Sequence, residues 1–332
     1  MPARVNSPAP PQDRPDRHRQ KHAPCALAIG GLDPGGGAGI AADLRAFAAA
    51  DVFGCAAIAV ITVQSTHGLR SARALDSREV LAQVREVTRY QRVRAFKLGA
   101  LGSIANVRAV GRFLARHSDI PAVVDPVMVP TRGRARLLDR GAVEALQRWI
   151  LPHTTLLTAN APEAEVLTGS RIRTIDDASR AAEQLRAMGA RAVLVKGGHL
   201  EGRDAIDVLA ASGAIHLLRA RRIPSLSIHG GGCVLASLIA GRIASATTRP
   251  SGAHLPVTDG ILVDAVHWAK QVHRAALSRT WNVDQLDQPS THTKSSVEPA
   301  PSRKTSGGVL VKSMTVLGII PPAPESITKA RP

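Results

Sequence analysis

Aromatic residues are scarce, at 2% of the 332-residue chain: four phenylalanines, three tryptophans and one tyrosine. So small a set leaves little on which unpaired bases can stack. It weighs against a nucleic-acid partner even though 43 Lys and Arg against 26 Asp and Glu give a formal charge of +17. The arginines are scattered, with only short clusters such as Arg219, Arg221 and Arg222, so they read as a solvated surface. Cysteine is equally sparse. Cys25, Cys55 and Cys233 form no Cys-x-x-Cys pair, which excludes a disulfide framework and the usual zinc spacings. An odd, sparse set fits a reducing compartment, and a cytoplasmic location is expected. No apolar run approaches the ~20 residues of a membrane span, so no membrane partner is expected. The first 22 residues are polar and lack the apolar stretch of a secretory signal. Walker A and nucleophile-elbow patterns are also missing, as is any internal repeat.

What the chain does have is a core: 44% hydrophobic residues with mean hydropathy near zero. Apolar runs at Ala26–Gly31, Cys55–Val63, Ala95–Leu98, Ala122–Asp125, Thr155–Thr158 and Ala192–Val195 predict buried strands. Amphipathic stretches alternate with them at Gly39–Ala50, Arg78–Tyr90, Ile104–Arg116, Gly141–Ile150 and Asp177–Met188, and Ile261–Leu277 predicts a last helix. Such alternation predicts an α/β fold, a mostly parallel central sheet with helices on both faces. Asp204–Leu209 and Ile215–Arg219, joined by a Ser-Gly turn, predict an antiparallel hairpin near the sheet's end. Residues 1–22 read as a disordered basic arm, 23–280 as the folded domain, and 281–332 as a low-complexity tail rich in Ser, Thr, Pro and Lys. Val309–Ile320 is an apolar island within that tail, a stray strand or a docking segment.

The segment richest in chemistry is His229-Gly230-Gly231-Gly232-Cys233, which opens into the apolar run Val234–Ala240. Glycines let backbone N–H groups approach a ligand closely. At the start of a helix those unpaired N–H groups and the positive dipole end form an anion site. The same field favours a cysteine thiolate, so Cys233 is expected to have a depressed pKa. Anion site and base in one turn suggest transfer of a charged group, most economically phosphoryl; a flexible loop before a core helix is the alternative.

In α/β sheets ligands bind beyond the carboxyl ends of the strands. The first strand leaves through Gly31-Leu32-Asp33-Pro34-Gly35-Gly36-Gly37-Ala38-Gly39, which contains a dinucleotide-like G-x-G-x-x-A match at Gly37–Ala42. The second strand ends in Thr62-Val63-Gln64 rather than in the acidic residue that motif requires. Gln64 is a paired donor and acceptor suited to the edge of a heterocycle. Later exits carry Asp125-Pro126-Val127-Met128, Asn160-Ala161-Pro162-Glu163 and Lys196-Gly197-Gly198-His199. Asn160 and Glu163 offer oxygen ligands of the kind Mg²⁺ prefers, or equally a helix cap. Lys196 beside two glycines suits a nucleotide phosphate or a solvated turn.

Asp33-Pro34 with the Gly-rich loop and Asp43, Gln64-Ser65-Thr66, Lys97-Leu98-Gly99, Asp125-Pro126-Val127-Met128, Asn160-x-x-Glu163, Lys196-Gly197-Gly198-His199 and the Gly230–Cys233 turn occur in one particular order. Over Ala26–Leu277 that order resembles the hydroxymethylpyrimidine/phosphomethylpyrimidine kinases of thiamine biosynthesis, in the ribokinase superfamily. The resemblance implies a ribokinase-like fold and ATP- and Mg²⁺-dependent phosphorylation of a pyrimidine substrate. It implies that Gln64, Asp43 and the backbone around Gly31 and Thr62 hold the pyrimidine. It assigns Asn160 and Lys196 to ATP, Glu163 and Asp125 to the metal, Gly230, Gly231 and Gly232 to the phosphoryl group, and Cys233 to the base. A homodimer is a further expectation.

The chain departs from the family pattern in several places. The usual Gly-Thr-Gly-Cys-Thr is Gly230-Gly231-Gly232-Cys233-Val234, and the Lys-Ser-Gly-Asp loop is Thr131-Arg132-Gly133-Arg134. Ala100 stands where a methionine is usual, and Ala159 where a proline is. A pyridoxal-type vitamin kinase and a pyrimidine-binding regulatory protein are therefore the alternatives.

Overall fold

A computed structural model describes residues 23–65, 68–128, 141–199, 202–223, 228–249, 251, 253–277 and the short strands at 281–282 and 315–316. The expected arm at 1–22, the loop at 131–134 and most of the tail lie outside these residues.

In chain order the elements are β1 (Cys25–Leu32), α1 (Gly39–Ala49), β2 (Phe53–Ser65), β3 (Gly68–Ala74), α2 (Ser77–Tyr90), β4 (Val93–Leu98), α3 (Ile104–Ala115), β5 (Ala122–Val124), α4 (Ala142–Trp149), β6 (Leu156–Asn160), α5 (Ala161–Thr168), α6 (Ile175–Ala187), β7 (Ala192–Lys196), β8 (Asp204–Ala211), β9 (Ala214–Arg221), β10 (Ile228–His229), α7 (Gly231–Ala246), α8 (Asp259–Leu277), β11 (Trp281–Asn282) and β12 (Thr315–Val316). Nine strands form one sheet in the order β3-β2-β1-β4-β5-β6-β7-β8-β9. The inner six, from β2 to β7, are parallel, and β3, β8 and β9 add antiparallel edges.

Both faces are covered, as near-continuous apolar strands require. Along β1, Cys25, Leu27 and Ile29 pack with residues of α2 to α6, whereas Ala26 and Ala28 pack with α1, α7 and α8. The chain reaches β2 on one side of β1 and later β4 on the other, so the strand order reverses at the carboxyl ends of β1 and β4. A crevice opens at such a reversal. The hairpin of β8 and β9 turns at Ser212-Gly213, both with positive φ.

Three elements differ from expectation. β3 has no strong sequence signature, since Leu69 is its one fully buried side chain. α7 begins at Gly231 rather than at the apolar run, so two glycines lie in its first turn. Within the expected tail, Thr315–Val316 pairs in parallel with Ile228–His229 and antiparallel with Trp281–Asn282, a short ladder beside the start of α7.

Candidate active site

The site is assembled where two glycine segments touch. After β1 the chain folds around Asp33, whose carboxylate oxygens accept from Gly35 N at 2.8 Å and Ala38 N at 2.9 Å. Gly230 caps α7 in the left-handed region with φ 77°, and a Cβ there would come 2.1 Å from Gly37 O. Only glycine permits that backbone-to-backbone approach. The first intrahelical bond of α7 runs from Val234 N to Gly230 O at 3.0 Å. The N–H groups of Gly231, Gly232 and Cys233 therefore precede it at the dipole's positive end, the anion geometry expected of this turn.

Charged side chains converge beneath the turn. Asp125, at the exit of β5, receives Lys196 Nζ at 3.0 Å and is 3% exposed. Gly232 lies against the pair, since a Cβ on it would be 3.1 Å from Lys196 Nζ. Burial would raise the Asp125 carboxyl; Lys196, Lys97 and a bond from the Cys233 thiol outweigh it and hold it below its ordinary value. Burial likewise would lower Lys196, but Asp125 and Glu163 keep it above the usual lysine range.

Asn160 and Glu163 form a capping box at the start of α5: Glu163 N donates to Asn160 Oδ1 at 2.8 Å and Asn160 N to Glu163 Oε2 at 2.9 Å. The cap is thus realised. Burial also pushes the Glu163 carboxyl up to about 7, opposed by Lys196 and reinforced by the charge of Asp125. Two mutually repelling carboxylates next to an anion turn fit a divalent cation. Among the described residues no group of three or more His, Cys, Asp or Glu converges. Such a donor set suits Mg²⁺, which takes one or two carboxylates and completes its shell with phosphate and water.

The structure overturns two expectations, at Asp43 and at Cys233. Asp43 does not face the cleft: it is wholly buried, its oxygens taking Lys97 Nζ at 2.8 and 2.9 Å and Ser237 Oγ at 2.7 Å. α1 turns it inward because a lysine buried on β4 needs a counter-charge. The Thr62 side chain is buried too, and its hydroxyl donates to Leu32 O at 2.7 Å, bracing the exit of β1, whereas the expectation concerned its backbone. Cys233 has its pKa pushed up to about 12. Burial is the main cause; Lys97 and the Gly39 backbone oppose it, while Asp125 and Asp43 add to it. The helix-end field does not compensate for lost hydration.

Gln64 is half-buried near the end of β2 and pairs with Leu69 on β3, after a register shift next to Val63. Antiparallel partners share a face, so the Gln64 amide borders the apolar patch of Leu69 and Ala100, with Ala72 and Val127 packed against it. Gly31 adjoins this patch, since a Cβ there would be 3.7 Å from the Ala100 methyl. Gln64 and this small apolar patch thus lie on one face of the sheet. Leu69 and Val127 were not foreseen because their role depends on strand pairing.

A cavity of about 550 Å³ extends from Lys196, Gly231 and Gly232 between the β8–β9 hairpin and α8. Leu217, Leu218, Ile223, Leu235 and Leu277 supply an apolar wall, and Arg219, Arg221, Arg222 and Arg274 cations. An anion turn at one end and an apolar slot at the other suit a nucleoside polyphosphate.

A sequence model of the phosphomethylpyrimidine kinase family matches residues 33–291. The chain belongs to that family. It is 41% identical over 227 residues to the hydroxymethylpyrimidine/phosphomethylpyrimidine kinase of Streptomyces coelicolor, covering 68% of this chain and 83% of the relative. With the Haemophilus influenzae kinase of the same name it shares 36% over 272 residues, or 80% and 95% of the two chains. Among solved structures it superposes on Bacillus subtilis pyridoxal kinase in an ADP complex with TM-score 0.68 and 28% identity, covering 80% and 95%. On the phosphomethylpyrimidine kinase from Clostridium difficile the values are 0.62 and 31%, covering 76% and 98%. The phosphomethylpyrimidine kinase fold is thus ribokinase-like, as expected, and the chain is a kinase. Among the described residues, no helix is long and apolar enough to cross a membrane.

Proposed function

We propose that this kinase transfers the γ-phosphoryl group of ATP to 4-amino-5-hydroxymethyl-2-methylpyrimidine and then to its monophosphate, in thiamine biosynthesis. The observation that carries the reading is one set of features. Gln64 shares a sheet face with the apolar patch of Leu69 and Ala100, the loop after β1 touches the Gly230–Cys233 turn at Gly37, and Gly231 and Gly232 line the cavity. This arrangement supports a reading in which flat heterocycle, transferring group and phosphate donor lie in series.

Phosphoryl transfer depends mainly on positioning and on charge stabilisation. The Gln64 amide pairs with a ring nitrogen and the exocyclic amine, turning the hydroxymethyl group toward the turn. The Gly231, Gly232 and Cys233 N–H groups take the equatorial oxygens of the moving phosphoryl group. Lys196 exchanges Asp125 for a phosphate oxygen of the nucleotide. Glu163 and Asp125 hold Mg²⁺, which when bound neutralises charge on the phosphates. Cys233 as its thiolate accepts the substrate hydroxyl proton; its own thiol proton leaves to solvent before the transfer, since the depressed Asp125 carboxyl, which the thiol now bonds, cannot retain it. The working location is the cytoplasm, and nucleic acid is not a partner.

An ADP-release assay across hydroxymethylpyrimidine, its phosphate and pyridoxal tests the reading. Turnover with both pyrimidines is expected, with Cys233→Ala lowering kcat roughly 10²–10⁴-fold at saturating substrate. The pyridoxal kinase structures, at TM-score 0.68 against 0.62, favour a second reading as a pyridoxal-type kinase. Turnover of pyridoxal alone would establish it. Tight pyrimidine binding with no turnover of any substrate would leave a regulatory protein.

A further inference from the structure

An ion pair in the cavity wall, Lys270 on α8 with Asp207 on β8, takes no part in the reaction described above. Lys270 Nζ lies 2.5 Å from Asp207 Oδ2, and the carboxylate is buried. Both residues line the cavity, as does Lys196. The second Asp207 oxygen, Oδ1, accepts at 2.9 Å from the N–H of Gly197, the residue directly after Lys196. A Cβ on Gly197 would come 1.8 Å from Ile206 O, so this strand exit runs hard against β8.

Sheet register brings Asp207 beside Lys196. β7 and β8 are antiparallel, with Leu194 opposite Leu209 and Val195 opposite Val208. One step further, the same register sets Lys196 opposite Asp207. Leu194 and Leu209 both pack on the side of the sheet that α1, α7 and α8 cover. Side chains alternate along a strand, so Lys196 and Asp207, each two residues away, emerge on that side as well. Opposed residues in such a pair have Cβ atoms roughly 5 Å apart, within the reach of a lysine.

Lys196 nevertheless bonds Asp125, at 3.0 Å. The reason lies in the charge on Asp207. A buried carboxylate without a counter-charge is costly, and Lys196 is the cation that register places opposite it. Lys270 supplies that counter-charge from α8. Lys196 is then left to Asp125 and to the phosphate that takes the place of Asp125.

We propose that Lys270 is a positioning residue: by saturating Asp207 it keeps Lys196 free for the phosphates of the nucleotide. The inference rests on the nucleotide reading of this cavity and on the role given there to Lys196.

Calorimetric titration of the full chain with AMP-PCP, a non-transferable analogue of ATP, tests it without the chemical step. Lys196→Met is expected to bind about tenfold more weakly than wild type. Lys270→Gln keeps an amide toward Asp207 but no charge, and a loss of similar size is expected as Lys196 turns to Asp207. Adding Asp207→Asn to Lys270→Gln should recover most of that loss, because the amide oxygen still accepts from Gly197 and no carboxylate draws Lys196 away. Lys196→Met with Lys270→Gln should bind no more weakly than Lys196→Met alone. Losses that add would overturn the proposal, since both a merely structural Lys270 and one that touches the phosphates itself would act independently of Lys196. Wild-type affinity in Lys270→Gln would overturn it too. Where Lys270→Gln fails to fold, the pair Lys270→Gln and Asp207→Asn decides: affinity within about threefold of wild type supports the proposal, and a tenfold loss overturns it. Wild type that binds no AMP-PCP would bring down the nucleotide reading and this inference together, and an unaffected Lys196→Met would remove the role of Lys196. Additive losses leave both of those readings standing.

Discussion

Lys97 and Lys196 lie at the carboxyl ends of parallel strands, each followed by glycine within two residues, yet they do different work. Lys97 is 1% exposed and spends its charge on both oxygens of Asp43, which Ser237 also binds. Burial would lower its pKa, but Asp43 outweighs that and holds it above the lysine range. Gly99 completes the enclosure, since a Cβ there would lie 3.1 Å from Nζ. Lys196 is 14% exposed, makes a single 3.0 Å contact with Asp125 and lines the cavity beside the glycine turn. One lysine is sealed by a helix that brings its own carboxylate. The other borders a cavity, and under the proposed function an arriving phosphate replaces its partner. Saturation of the counter-charge, more than burial, separates a structural ion pair from a working one.

The comparison breaks most visibly at Lys97. Lys97→Met leaves Asp43 buried and uncompensated, and urea denaturation should show a loss of about 3–5 kcal/mol. Adding Asp43→Leu should recover most of it. Unchanged stability in the single variant would mean that Lys97 is not the counter-charge Asp43 needs.

Lys196→Met should act on turnover instead. A lost charge contact to the transferring group typically costs 10²–10³ in kcat, and single-turnover kinetics should show a loss of about that size. Its destabilisation should be smaller than that of Lys97→Met. A kcat within twofold of wild type would place Lys196 with Lys97 as structural.

Glu163 sharpens the contrast through pH. A carboxyl raised to about 7 in the fold, against an ordinary 4.5, is protonated in the folded protein where the unfolded chain has already lost its proton. Its contribution is complete below about pH 4.5 and is lost as pH rises through about 7. Without ligand, wild type should lose stability between about pH 4.5 and 7, by up to roughly 3 kcal/mol, and level off above. Glu163→Gln should show a flatter profile, and parallel denaturation curves for the two proteins would remove Glu163 as the source.

The smallest effect is expected from shortening the chain to end at Arg279. This removes β11 and β12 and leaves the nine-stranded sheet intact, so stability should change by about 0.5 kcal/mol or less. A drop in kcat without a drop in stability would show that β12 supports the turn through β10.

Much of the scaffold was legible because apolar runs and turn residues are local signals. All six predicted strands appear with boundaries within two residues, and the hairpin turns where Ser212-Gly213 places it. β3 was not legible: Arg70, Ser71 and Arg73 are polar, and pairing with β2 rather than composition makes it a strand. In the site, the glycine turn and the Asn160–Glu163 pair could be read from adjacent residues. Asp43 could not, because its partners are 54 and 194 positions away. Cys233 was misjudged for a similar reason. Its position at a helix start is local, whereas the charges around it, on Asp43, Lys97 and Asp125, come from distant parts of the chain.

The contact of Gly230 with Gly37 has a consequence for how such a site can diversify. Where two main chains meet with no room for a side chain, the surface that the proposed function gives to the moving group is drawn by peptide units alone. Substitution there has nothing to adjust and can only open the seam. New substrate preferences must then arise at the edges, at Gln64 and its apolar patch on one side and along α8 on the other. The centre stays a fixed die, and its rims are free to vary.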